Sequence, residues 1–165
     1  ATGTMAHSWV QSFDSELESF RAYAEVYPSA CLLLVDTYDV LRSGIPNAIK
    51  VFNELKGKGY KPLGIRIDSG DIAYLTKETR KMLDAAGFED AKIVVSNSMD
   101  EFKIRDLLNQ GAQIDSFGVG ERLITAKSDP VFGGVYKLVA MEEDGKIIPK
   151  IKVSEDVVKL SLIHI

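Results

Sequence analysis

Four short runs along the chain are almost wholly apolar: Cys31–Val35, Pro62–Ile67, Lys92–Val95 and Ile114–Gly118. They are rich in Val, Ile and Leu, the composition expected of parallel strands covered on both faces. The stretches between them follow a different period. Asn47–Lys56 places Ile49, Val51, Phe52 and Leu55 on one side, and Ile72–Ala86 does the same with Leu75, Met82, Leu83 and Ala86. Met99–Gln110 gathers Phe102, Ile104, Leu107 and Leu108. Each is followed by glycine (Gly57 and Gly59, Gly87, Gly111), which suits a left-handed helix stop.

A further helix is predicted over Asp14–Val26, capped by Asp14 or Ser15. The segment Val135–Val153 reads as a hairpin turned at Glu143-Asp144-Gly145. The order is then α(βα)₃β followed by a hairpin, an α/β fold whose consecutive β-α-β units require parallel strands and right-handed crossovers. Order and composition leave a doubly wound sheet and a partial (β/α) barrel both open. Polar residues collect at the C-terminal ends of the predicted strands, where both architectures build their sites.

The chain has 165 residues, enough for one domain with a real core, and 45% hydrophobic and 27% charged residues place it among globular proteins. A formal charge of -4 argues against a general nucleic-acid binder, though one local phosphate site needs only a few donors. A single cysteine, Cys31, forms no internal disulfide and fits a cytoplasmic setting. No apolar run reaches the length of a membrane span, and no signal-peptide pattern opens the chain. Both ends read as cut; residues 161–165 are expected to be a tail outside the domain spanning 1–160.

Gly64-Ile65-Arg66-Ile67-Asp68-Ser69-Gly70-Asp71 is the densest chemical signal. Alternation puts Gly64, Arg66 and Asp68 on one face of a strand. A charged pair there is costly unless it is paired internally or used on a ligand. Ser69 and Gly70 lead into a helix whose first N–H groups can face an anion. Phe117-Gly118-Val119-Gly120 brings two glycines directly after a strand, so backbone N–H groups can close on a phosphate. Asp129–Gly134 adds a second glycine turn. Ser96-Asn97-Ser98 offers small polar groups at a strand-to-helix junction, with Ser98 and Glu101 also matching a capping box. Asp36 is a strand-end carboxylate for sugar hydroxyls or hydrated Mg²⁺, or else a cap. His7 alone reads as a packing or surface residue. With only two histidines and one cysteine no zinc cluster is possible, so no metal ligand is assigned.

Taken together, six strings in this order resemble the nicotinate phosphoribosyltransferases: Gly-Thr-Met-Ala-His-Ser, Val-Asp-Thr-Tyr-Asp, Gly-Ile-Arg-Ile-Asp-Ser-Gly-Asp, Ser-Asn-Ser-Met-Asp-Glu, Phe-Gly-Val-Gly-Glu-Arg-Leu and Phe-Gly-Gly-Val-Tyr-Lys-Leu. The resemblance runs from Gly3 to about Leu160. It implies an irregular, incomplete α/β barrel beside a second domain, in a homodimeric enzyme of NAD salvage. The implied reaction joins nicotinate to phosphoribosyl pyrophosphate, gives nicotinate mononucleotide and pyrophosphate, and is coupled to ATP hydrolysis with Mg²⁺ accompanying the phosphates. His7 matches the family's phosphorylated histidine, and Arg66 and Asp68 match the lining of the nucleotide pocket. Ser98, Gly118 and Gly120, with Val119 between them, match positions around the ribose and its 5′-phosphate. A nicotinamide-specific relative and an inactive folded piece are the competing expectations, since family members are much longer than this chain. A barrel isomerase or aldolase would need a strand-borne Lys or Glu base, and the strand cores hold only Lys92.

Overall fold

The structure is a computed structural model, and it describes residues 4–125 and 136–152. The glycine turn at 129–134 and the tail at 161–165 lie outside the described residues. Four parallel strands, β1 (Leu32–Leu34), β2 (Gly64–Ile67), β3 (Lys92–Val95) and β4 (Ser116–Phe117), lie side by side in the order of the sequence. The helices α3 (Ile45–Gly57), α4 (Ile72–Ala85) and α5 (Glu101–Asn109) form the crossovers. Before β1 come α1 (His7–Gln11) and α2 (Glu16–Val26), and a short α6 (Glu121–Ile124) follows β4. The last pair, β5 (Ala140–Glu143) and β6 (Lys146–Pro149), is an antiparallel hairpin. Its turn residues Asp144 and Gly145 have φ of 50° and 74°, the positive pair that a two-residue hairpin turn of the expected kind demands.

Among the described residues the strand order has no reversal, and so no switch point of the doubly wound kind. Burial agrees. Leu33, Val35, Ile65, Ile67, Ile93 and Val95, alternating along β1 to β3, are wholly buried. They meet the inner faces of the helices, notably Ile45, Ala48, Val51, Phe52 and Leu55 of α3 and Leu83 of α4. Phe52 and Phe88 stack edge to face with centroids 5.5 Å apart. The opposite face carries the row Leu34, Arg66, Val94 and Ser116. In it only Leu34 is buried; Arg66 and Val94 are half-buried and Ser116 is exposed. The expectation of strands covered on both faces therefore holds fully for one face only, the one on which α3 and α4 pack.

The segment holding His7, assigned to no element above, forms the first turn of α1. Two other expectations change. Helix α5 buries Leu107 and leaves Phe102 and Leu108 about half exposed, so its apolar stripe is only partly used. Ser98 does not cap α5: the Asp100 carboxylate accepts from Lys103 N–H at 2.8 Å, and helix α5 begins at Glu101. The shift follows from charge, since an ionised carboxylate is a stronger partner for free N–H groups than a hydroxyl. Cys31 is buried, and burial pushes its thiol up to about 12, far from any reactive range.

Candidate active site

Parallel register fixes which residues meet at the top of the sheet. Leu34 pairs with Arg66, Arg66 with Val94, and Val94 with Ser116. Two residues further along each strand, on the same face, come Asp36, Asp68, Ser96 and Gly118. Their side chains interlock across strands. Asp36 Oδ2 accepts from the backbone N–H of Asp68 at 3.0 Å and from Ser69 Oγ at 2.5 Å. Ser96 Oγ in turn donates to Asp68 Oδ1 at 2.7 Å. These side chains tie β1 to β2 and β2 to β3 beyond the point where the backbone ladder ends.

His7 enters this row from α1. Its Nδ1 lies 3.0 Å from Thr37 Oγ1, while Nε2 stands 3.9 Å from both Asp36 Oδ1 and Asp68 Oδ2. Those two distances are too long for hydrogen bonds. Nε2 of His7 and Oδ1 of Asp36 are both buried without a hydrogen-bond partner, as is Nε of Arg66 one row below. Three unpaired polar atoms at one end of a sheet are the mark of a place that awaits a further polar group. Among the described residues no three His, Cys, Asp or Glu side chains stand close enough to hold a metal ion.

The predicted site residues divide by what they touch. Asp36, Asp68, Ser69 and Ser96 come together in one hydrogen-bonded cluster, and His7 Nε2 stands 3.9 Å from both of its carboxylates. Within it Asp36 and Ser69 are buried, so they brace the cluster and present little surface to a ligand. Asp36 is not a helix cap: that role falls to Asp39, which accepts from Leu41 N–H and Arg42 N–H. Asn97 and Ser98 follow β3 with φ of 96° and 49°, unusual for residues with a side chain, and Ser98 is exposed. Gly70 is exposed, and Asp71 after it caps α4 by accepting from Tyr74 N–H.

At the end of β4 the Gly118 N–H donates to Val95 C=O at 2.7 Å, so it is already committed. A side chain on Gly118 would press on Ser96 Cβ, whereas one on Gly120 would meet open space. The N–H groups of Val119 and Gly120 have no backbone partner among the described residues. Arg66 lies half-buried in the row of β2, and its Nε has no hydrogen-bond partner among the described residues.

Sequence reasoning passed over Thr37 and Thr4. Thr37 is wholly buried against His7, and Thr4 Oγ1 donates to Leu32 C=O at 2.5 Å, pinning the segment before His7 to β1. Both stand inside strings singled out above, but a lone threonine carries no periodic or spacing signal of its own.

Comparisons with known proteins sharpen this picture. No family model matches the chain. Nicotinate phosphoribosyltransferase from Bacillus subtilis is 53% identical over 160 residues, 97% of this chain and 32% of its own length. The protein of the same name from Caenorhabditis elegans is 45% identical over 157 residues, 90% of this chain and 27% of its own length. Among solved structures, human nicotinic acid phosphoribosyltransferase superposes with a TM-score of 0.67 and 30% identity, covering 72% of this chain and 34% of the human one. The chain spans about a third or less of the length of each of these proteins. Over nearly all of its own length it is a homologue of the nicotinate phosphoribosyltransferases.

Proposed function

We propose that the protein transfers a phosphoribosyl group to nicotinate, and that this chain supplies the half of the site that handles the phosphoribosyl and ATP phosphates. In the reaction the pyridine nitrogen bonds to the anomeric carbon while the carbon–oxygen bond to pyrophosphate breaks. Positive charge grows on the ribose and negative charge on the leaving group, and fixed polar groups must meet both. Asp68, held by Ser96 at the end of β2, stands where the ribose would bind. Arg66 offers its fork to a phosphate or to the nicotinate carboxylate. The N–H groups of Val119 and Gly120, helped by Ser98, suit the 5′-phosphate. Mg²⁺ enters with the substrate phosphates.

The observation that carries the reading is His7, buried at Nε2 between two strand-end carboxylates with no partner. We take it as the acceptor of the terminal phosphoryl group of ATP, with ADP departing. The four strands form a segment of an irregular barrel: sequential order and one-sided helical cover both support it. Dimerisation rests on the family resemblance alone. For the 165 residues by themselves an inactive folded piece is the second reading, favoured by the half-open sheet face.

The test uses the full-length protein and ATP labelled in its terminal phosphate. Acid-labile label should attach to the wild type and be absent from His7→Ala. That variant should still form nicotinate mononucleotide at high substrate while ATP hydrolysis is uncoupled from it. Equal labelling of both proteins would remove His7 from the role. Transfer to nicotinamide in preference to nicotinate would overturn the substrate.

A further inference from the structure

Away from the strand ends, one buried polar cluster has no part in the chemistry just described. Glu16, in the first turn of α2, is 5% exposed. Its Oε2 accepts from Ser43 Oγ and, at 3.0 Å, from Asn47 Nδ2, while Oε1 is buried without a partner. Those donors stand on two elements. Asn47 belongs to α3, and Ser43 to a π-helical turn, Val40–Gly44, that leads from the end of β1 into α3. This turn sits directly on the strand: a Cβ built on Gly44 would overlap the Val35 carbonyl. It is also capped by Asp39, three residues after Asp36.

A second contact joins α2 to the helix that carries His7. Trp9 Nε1 donates to Ser19 C=O at 3.1 Å, and Ser19 is itself wholly buried with its hydroxyl on Glu16 C=O. The links close into a ring. His7 stands on α1, α1 is held to α2 through Trp9, α2 is held to the turn and α3 through Glu16, and the turn rests on β1, whose end carries Asp36 and Thr37. Those two residues are the ones that face His7. Among the described residues, Glu16 alone has a side chain that bonds α2 to both the turn and α3.

We propose that Glu16 is a positioning residue, which registers the His7-bearing helices against the carboxylate end of β1 by clamping Ser43 and Asn47. The clamp asks for a shape and an acceptor oxygen, not for a charge. Burial, helped by Asp36 and Asp39 nearby, pushes the Glu16 carboxyl above its ordinary range, while the Ser43 and Asn47 hydrogen bonds work the other way. A neutral amide of the same size retains the acceptor and both hydrogen bonds. π-Turns of this kind often mark functional sites, because they re-aim the residues next to them.

The experiment compares Glu16→Gln with Glu16→Ala in the full-length protein, at a temperature where circular dichroism shows both folded. The first readout is the ring Cε1–H resonance of His7, assigned by its loss in His7→Ala. Glu16→Ala should move or broaden it, and Glu16→Gln should leave it in place. The second readout, which rests on the proposed phosphoribosyl transfer, is steady-state kinetics. Glu16→Ala should lower kcat by about tenfold or more with KM for nicotinate within about threefold, and Glu16→Gln should stay within about threefold on both. An unmoved His7 resonance in folded Glu16→Ala overturns the proposal, as does Glu16→Gln matching Glu16→Ala, since the clamp would then depend on charge. If the wild type makes no nicotinate mononucleotide, the functional reading fails and the resonance alone decides the role of Glu16. Should Glu16→Ala fail to fold, Ser43→Ala and Asn47→Ala remove the donors one at a time and are read by the same resonance.

Discussion

Replacing Asp36 separates what this carboxylate does as an acceptor from what it does as a charge. Its side chain is 2% exposed and holds two donors, Asp68 N–H and Ser69 O–H, the second on a buried residue. In Asp36→Ala both donors lose their partner where little water can replace it. A buried donor left unsatisfied costs about 1–3 kcal/mol. Asp68 is half-buried, which trims its share, and loss of the charge relieves repulsion with Glu16, which faces Asp36. The net expectation is a loss of about 2–3 kcal/mol. Asp36→Asn is different. Its amide oxygen can take the place of Oδ2 and keep both bonds, with the NH₂ group at Oδ1 facing His7. That variant should stay within about 1 kcal/mol of the wild type.

Urea unfolding followed by far-UV circular dichroism measures the pair. With a slope of about 2 kcal/mol per molar, Asp36→Ala should lower the midpoint by about 1–1.5 M and Asp36→Asn by less than about 0.5 M. A fall in Asp36→Asn as deep as in Asp36→Ala would refute the bracket, because the charge and not the acceptor would be at work. So would an Asp36→Ala midpoint within about 0.5 M of the wild type.

Other outcomes follow from the same geometry. Asp100→Ala should cost about 1 kcal/mol in thermal or urea unfolding through the lost cap of α5, whereas Ser98→Ala should change stability by no more than about 0.5 kcal/mol. The folded-state value of Glu16 lies above the ordinary 4.5, so between those two values the folded form binds more protons than the unfolded one. Stability from this group is therefore full below 4.5 and is lost as pH rises through the raised value. Urea midpoints measured across that window should fall for the wild type, and Glu16→Gln should lack this component; parallel curves would place the titration elsewhere.

Most of the fold is written in local pattern. The three crossover helices and the hairpin turn were legible because periodicity, glycine stops and an Asp-Gly pair are properties of neighbours in the chain. Lys92–Val95 matches β3, but the other three strands are shorter than their apolar runs, which continue past the paired residues: Cys31 and Val35 are buried but lie outside β1. The one-sided cover of the sheet was not legible, as Leu34 and Val94 look alike in sequence and only Leu34 is buried. In the candidate site, strand alternation expects Asp68 and Arg66 on one face and the strand-end rule points to Asp36 and Ser96, both of which the structure brings into contact with Asp68. It did not distinguish ligand-facing residues from braces. Asp36 and Ser69 became partners because parallel register set Asp36 beside Asp68, a relation across 32 residues that no local motif encodes. Glu16 was invisible for the same reason: its meaning lies in Ser43 and Asn47, far along the chain.

The unreversed strand order also bears on how the chain comes together during synthesis. Each strand finds its partner in the very next β-α-β unit: Leu32 waits for Gly64, Gly64 for Lys92, and Val94 for Ser116. Among the described strands no pairing has to hold open for a distant segment, so loop-closure cost stays nearly constant from one to the next. A ribosome releasing the chain from its N-terminus could therefore lay the sheet down one strand at a time, each new edge becoming the template for the next. The side-chain links at the strand tips would then close in the same order, Asp36 to Ser69 first and Asp68 to Ser96 second. The chemistry would be assembled as a by-product of translation, in the direction in which the gene is read.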